Sequence, residues 1–190
     1  VMGKPMARNL IKAGFKVVLY NRSSAAVDEL AGIGGIAAAS PADLAARAEI
    51  ICLCVPDTPD VEAVLFGAKG VASAVKAGSV VIDFSTISSK ATAGFAERLK
   101  QAGVAMLDSP VSGGPGGARD ATLSCMIGGE AETLARCMPL FKAVGKTFTH
   151  IGASGAGQLC KSCNQMVMAG TVMAACEALT LAKKAGVDPY

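Results

Sequence analysis

A doubly wound, mostly parallel α/β sheet followed by one long helix is the fold the sequence predicts. Two observations carry it. Short runs rich in Val, Ile and Leu alternate with helix-like segments along most of the chain, and repeated strand–helix–strand order implies parallel strands joined by crossover helices. Beyond them, residues 156–184 contain no proline and an almost unbroken supply of Ala, Met, Leu and Val, which predicts a single helix roughly 40 Å long.

The elements follow in order. The opening stretch VMGKPMARNL reads as an amphipathic helix over about 4–13, with a glycine at its start. Strands are expected in FKVVLYN at 15–21, AEIICLCV at 48–55, SVVIDFS at 79–85 and VAMLDSPV at 104–111. Those at 48–55 and 79–85 are nearly continuous in apolar character, as parallel strands buried on both faces are. Helices are expected at 24–31, 41–47, 60–66 and 88–101. Ser40-Pro41 and Ser88 supply N-terminal caps, with proline at the first helical position in the former. TLSCMIGG, a helix at 130–143 and KTFTHIG continue the rhythm. Lys183-Lys184 and Gly186 then close the long helix, basic residues and glycine being favoured at a helix C-terminus. Asp188-Pro189 reads as the start of another helix. Residues 1–152 are thus expected to form one domain, and 153–190 the long helix opening an all-helical domain. The chain reads as cut off at both ends, with a first strand expected ahead of Gly3.

Over half of the 190 residues are apolar and the net charge is only +3, which excludes a disordered chain. Without a Lys/Arg cluster there is no electrostatic footprint for nucleic acid. No secretory signal is evident, and no run reads as long enough for a membrane span, so no membrane partner is expected. Cys52, Cys54, Cys125, Cys137, Cys160, Cys163 and Cys176 lie mostly in apolar runs, as reduced cysteines serving as small core residues do. Cys160 and Cys163 form C-x-x-C without a second pair, and His150 is the single histidine, so no metal site is expected. The setting expected is the cytoplasm or an organelle matrix.

Several strand ends carry chemistry-bearing residues. Gly3 fits the third glycine of the dinucleotide fingerprint G-x-G-x-x-G, where helix and strand pack closely. About twenty residues on, the fingerprint places its ribose-reading residue. Asn21-Arg22-Ser23 stands there and offers a cation and a hydroxyl rather than a carboxylate, which suits a 2′-phosphate and hence NADP before NAD. A solvated strand-end arginine is the competing reading. Val55-Pro56 and Ser85, Thr86 and Ser88 fall at carboxyl strand edges, where open α/β sheets bind ligands, or serve as turn and cap residues. DSPVSGGPGGA at 108–118 reads as a loop with bare backbone N–H groups suited to an anion, or as a flexible connection. In GASGAGQLCKSCNQ, Lys161 sits within an otherwise apolar helix, near Asn164 and Gln165; read alone, it is a snorkelling surface lysine.

Together, MGKPMARNL, NRS, DFSTIS, DSPVSGG, MIGG and GAGQLCKSCNQ resemble, in order and along the whole chain, the β-hydroxyacid dehydrogenase family, which has a Rossmann-like domain. The family includes 3-hydroxyisobutyrate dehydrogenase, 2-hydroxy-3-oxopropionate reductase and 6-phosphogluconate dehydrogenase. The resemblance implies that Met2 and Gly3 belong to the cofactor helix. It further implies that Asn21, Arg22 and Ser23 touch the adenosine 2′ position and that Val55, Pro56 and Thr86 line the nicotinamide side. Ser112, Gly113 and Gly114 would hold the substrate carboxylate, Lys161 would be the acid/base, and Asn164 or Gln165 would orient substrate and lysine.

The function so implied is hydride transfer between NADP(H) and a short 3-hydroxy acid or its semialdehyde. Reduction of 2-hydroxy-3-oxopropionate, glyoxylate or succinic semialdehyde is the alternative substrate reading, and a non-catalytic cofactor-binding module the alternative class. A homodimer or higher homo-oligomer is expected. The chain departs from the family pattern at Ala121, where relatives carry glycine, and at Gln165, where many carry asparagine.

Overall fold

The computed structural model describes residues 1–188; the helix start expected at Asp188-Pro189 lies, but for Asp188, outside the described residues. Its elements are α1 (Gly3–Lys12), β1 (Val18–Leu19), α2 (Ala25–Ala31), β2 (Ile36–Ala37), α3 (Pro41–Arg47), β3 (Ile50–Leu53), α4 (Thr58–Phe66) and β4 (Val80–Asp83). There follow α5 (Ser89–Gln101), β5 (Ala105–Asp108), β6 (Val111–Ser112), α6 (Gly114–Asp120), β7 (Leu123–Gly128), α7 (Ala131–Val144), β8 (Gly145–Gly152) and α8 (Ala156–Lys184).

The main sheet runs β3-β4-β5-β7-β6, with β8 also paired to β7. β3, β4 and β5 are parallel, while β7 runs antiparallel to β5 and β6. β1 and β2 form a separate parallel pair. Alternation along the strands divides the core in two. Val80, Ile82 and Leu107 face Met6 and Leu10 of α1 and Phe141 of α7. Val81 and Met106 face Val61 and Leu65 of α4 and Phe95 and Leu99 of α5. A period of two thus sends successive side chains to opposite helical layers, and β4, buried at every residue, is the spine of both.

Helix starts follow their caps. The Ser40 side chain accepts from Asp43 N ahead of Pro41, and that of Ser88 accepts from Ala91 N. α4 begins earlier than the expected residue 60 because the Asp57 carboxylate accepts from Thr58 N, and Pro59 is tolerated in the first turn.

Four sequence expectations are corrected. GGPGGA is a helix, not a loop: Pro115 presets the backbone for a first turn, Gly113 enters it at φ +129°, and Asn9 Nδ2 donates to Ala118 O at 2.8 Å near its C-terminus. The strand expected at 15–21 shortens to Val18–Leu19. Among the cysteines, Cys125 and Cys137 are core residues, but Cys163 and Cys176 are exposed because α8 turns them outward, and Cys52 is exposed although β3 pairs it with buried Ile82. Finally, α8 is long and apolar enough to cross a membrane by length and composition alone. Its start, however, is packed in the domain: Gly157, Gln158 and Lys161 are buried, and beyond them its apolar residues are exposed.

Ala121 ends α6 at φ +55° and is the one non-glycine residue with positive φ among the described residues. A side chain in this left-handed region costs about 1–2 kcal/mol, partly offset by the greater freedom glycine has when unfolded. Ala121→Gly is therefore expected to raise stability by about 0.5–1 kcal/mol, read as a higher urea midpoint at unchanged m-value. A lower midpoint would refute the strain.

Candidate active site at the strand ends

Three strand ends and two helices meet at one edge of the sheet. Cys54–Pro56 after β3, Phe84–Thr86 after β4 and Val111–Gly114 around β6 enclose, with Met2 at the head of α1 and Lys161, Gln165 and Met168 of α8, a cleft of about 620 Å³. Met2, Val55, Pro56, Thr86, Ser112, Gly113, Gly114, Lys161 and Gln165 all line it. Phe84 and Met168 line it too, and their apolar character alone gave no sign of that.

Other candidates stand outside this wall. Gly3 lies just inside α1, where an added Cβ would come 3.4 Å from Cys54 Cβ, so helix and strand end are in contact. Asn21, Arg22 and Ser23 follow β1 on the surface, with Asn21 Nδ2 donating to Ser23 Oγ at 2.9 Å. Arg22, 80% exposed, reaches Asp60 at 3.5 Å. Asn164 does not line the cleft; its Nδ2 lies 3.7 Å from Sδ of Met168, which does. Of the two amides expected to orient a substrate, Gln165 is therefore the one on the cleft.

The cleft combines three kinds of group. The first N–H groups of α1 lack intrahelical partners, and no acidic side chain sits in its first turn, so that end carries the positive pole of the helix dipole. Ser112 offers a hydroxyl next to Gly113 and Gly114, both at positive φ. Lys161 is 8% exposed, and burial holds its amine below the ordinary lysine range by disfavouring the ammonium form. Burial and the Asp83 carboxylate push the Cys54 thiol up, which disfavours its thiolate.

Behind the cleft lies a buried polar cluster that sequence reasoning missed. Asp83 and Asp108, paired across β4 and β5, are fully buried. Asp83 Oδ1 accepts from Ser85 N at 2.9 Å, and Ser85 Oγ accepts from Val55 N at 2.9 Å. Burial, then the neighbouring Asp108, pushes the Asp83 carboxyl up to about 6 against two hydrogen bonds from Ser85. Asp108 and Gln158 join this cluster to α8. The available signal was a polar residue ending each apolar run, at Asp83 and Asp108.

A second hollow of about 350 Å³ lies along α8 between Cys176 and Lys184. Its walls come from one helix, so no groups converge on it. Among the described residues no group of three or more His, Cys, Asp or Glu side chains is placed to hold a metal.

A strand-edge cleft beside a helix N-terminus in a doubly wound sheet defines a Rossmann-type nucleotide-binding domain. Residues 1–152 match the family described as the NAD binding domain of 6-phosphogluconate dehydrogenase. Residues 155–190 match the one described as the NAD-binding of NADP-dependent 3-hydroxyisobutyrate dehydrogenase. The chain is 42% identical to the 2-hydroxy-3-oxopropionate reductase of Escherichia coli (strain K12), covering 100% of this chain and 64% of that protein. It is 36% identical to the mitochondrial 3-hydroxyisobutyrate dehydrogenase of Homo sapiens, covering 99% and 56%. A solved structure of 3-hydroxyisobutyrate dehydrogenase from Mycobacterium tuberculosis with L-serine aligns at a TM-score of 0.93 and 35% identity, over 99% of this chain and 64% of that one. The chain belongs to the β-hydroxyacid dehydrogenase family, and it spans less than two thirds of the length of these relatives.

The Asp83 carboxyl supplies a pH signature. Its folded value near 6 lies above the ordinary 3.8, so its contribution to stability is full below the lower value and is lost as pH rises through the upper. Asp83→Asn keeps the acceptor for Ser85 N and removes the charge. Relative to wild type, it should gain about 2 kcal/mol between pH 4 and pH 8 in chemical denaturation. A constant difference across that window would refute the assignment.

Proposed function

We propose that the full-length protein transfers hydride between NADP(H) and a short 3-hydroxy acid or its semialdehyde, with residues 1–152 binding cofactor and 153–190 opening a helical domain. The observation that carries this reading is the placement of Lys161, a buried amine without a carboxylate partner among the described residues, on the same cleft as Ser112, Gly113 and Gly114. Reduction of 2-hydroxy-3-oxopropionate, the activity in the name of the Escherichia coli relative, is the substrate alternative.

The residues present fit a nicotinamide dinucleotide. The α1 N-terminus suits a pyrophosphate, and Arg22 and Ser23 are exposed and free of steric cover for a 2′-phosphate. The bound nicotinamide would supply or accept the hydride. Met2, Val55, Pro56 and Thr86 would form its wall and exclude water. Ser112 Oγ and the N–H groups of Gly113 and Gly114 would hold the substrate carboxylate. Lys161 Nζ, neutral in the direction of oxidation, would take the proton from the 3-hydroxyl; in reduction its ammonium would return it. Gln165, rather than Asn164, would orient the substrate from the next turn. We further propose that the exposed apolar side of α8, including Met166, Val167, Met173 and Leu181, is covered in a homodimer or larger homo-oligomer, that the protein works on a small carboxylate rather than nucleic acid or membrane, and that it resides in the cytoplasm or an organelle matrix.

Lys161→Ala in the full-length protein should lower kcat by about 10²- to 10⁴-fold on a panel of hydroxy acids and semialdehydes while NADPH binding persists. Full turnover in that variant would sink the lysine assignment, and NADPH binding without turnover in wild type would favour a cofactor-binding module. Arg22→Asp should weaken NADP relative to NAD by on the order of tenfold or more, measured by cofactor titration. An unchanged ratio would remove Arg22 from the 2′ site.

A further inference from the structure

We propose that Gln158 and Asp108 form the positioning pair for Lys161, locking the axial and rotational setting of α8 so that the amine sits at one depth in the cleft. The proposal rests on the function argued above only in calling that amine catalytic; the mechanical lock stands on the geometry.

The first turn of α8 has N–H groups without intrahelical partners, and Gly155 at its head carries no capping side chain. The cap comes instead from another element. Asp108, the last residue of β5, accepts from Gly155 N at 2.7 Å through Oδ1 and from Gln158 N at 2.9 Å through Oδ2. A carboxylate here also meets the positive end of the α8 dipole. The Gln158 side chain then fixes rotation. It is completely buried, its Nε2 donates to Ser85 O at 2.8 Å, and its Oε1 accepts from Ile87 N at 3.0 Å. Both ends of one amide are thus bound to the backbone on either side of Thr86, itself a cleft residue.

Gly157 removes the remaining freedom. A Cβ there would lie 2.3 Å from Met126 O and 2.8 Å from Asp108 Oδ2, so the helix is pressed directly on β7 and β5. Lys161 follows Gln158 by three residues and lies on the same face one turn along. Sliding or turning α8 by a single residue would break all four hydrogen bonds and rotate Lys161 by about 100°. Ionisable groups at the cleft and behind it include Cys54 after β3, Asp83 on β4 and Asp108 on β5.

The test uses the full-length protein with Gln158→Met, which keeps side-chain length and deletes both hydrogen bonds of the amide, and Asp108→Asn, which keeps shape and one acceptor. Lys161 acylation by acetic anhydride is followed against pH by peptide mass spectrometry, with exposed Lys90 as the internal reference. Expected is a rise in the Lys161 half-reaction pH toward the ordinary lysine range in both variants, larger in Gln158→Met, with Lys90 unmoved. In turnover, kcat should fall on the order of 10²-fold while the NADPH dissociation constant stays within about twofold, a split that general destabilisation would not give. If Gln158→Met fails to fold, Asp108→Asn carries the decision. A wild-type labelling profile and wild-type kcat in a folded variant overturn the proposal. A shifted profile in a protein whose wild type turns over nothing on the panel supports the lock and refutes the functional reading instead.

Discussion

The peptide N–H groups that open α8 have no partners in their own helix, and the carboxylate ending β5 supplies them. Much of the cleft depends on that contact. Asp108 can reach Gly155 N and Gln158 N only because glycine at 155 adopts φ +91° and glycine at 157 lets the helix touch the sheet. With the helix seated, Gln158 enters the interior and ties the segment after β4, which in turn holds Val55 through Ser85 Oγ. Three strand ends are joined to one helix through five side-chain hydrogen bonds to backbone groups and one internal turn at Asp83.

The sheet makes such a cluster necessary. Strands buried on both faces expose polar backbone only at their ends, and groups released there inside the protein must find partners. Asp83 shows the cost of this arrangement. Its Oδ2 has no partner among the described residues, and desolvation dominates over the Ser85 hydrogen bonds in setting its proton affinity. A group held this way lowers stability at neutral pH and fixes the geometry of the Phe84–Thr86 segment in exchange. The cleft wall is thereby tied by hydrogen bonds where two carboxylates stand behind it, and is exposed at Gly113 and Gly114.

How much of this the sequence disclosed depended on where each residue finds its partners. The limits of α8 were legible from local composition, because proline is absent from it and basic residues followed by glycine close it. The Ser40 and Ser88 caps were legible for the same reason: their bonds close within three residues. GGPGGA misled because glycine and proline mark loops by frequency, whereas Pro115 falls at a helix start and the Asn9 side chain that supports the other end comes from α1. Lys161 read alone was a surface lysine; only its motif context pointed inward. Gln158 gave no signal, since its partners are main-chain atoms of Ser85 and Ile87, 73 and 71 residues away, and a distant backbone partner leaves no mark on the local sequence.

The electrostatics of Lys161 follow from the same division of labour. A carboxylate beside a buried amine would stabilise its ammonium form and raise its proton affinity. Two carboxylates lie close behind the cleft, yet desolvation is the one cause acting on the Lys161 amine. Asp108 is turned to the N–H groups of Gly155 and Gln158, and Asp83 Oδ1 to Ser85 N, so their negative charge is spent on backbone dipoles. Among the described residues no carboxylate pairs with the amine, and its burial favours the neutral form. Had the cap of α8 been a side chain of the helix itself, Asp108 would stand free to pair with a cation, and the lysine one turn along would be the nearest one on that helix.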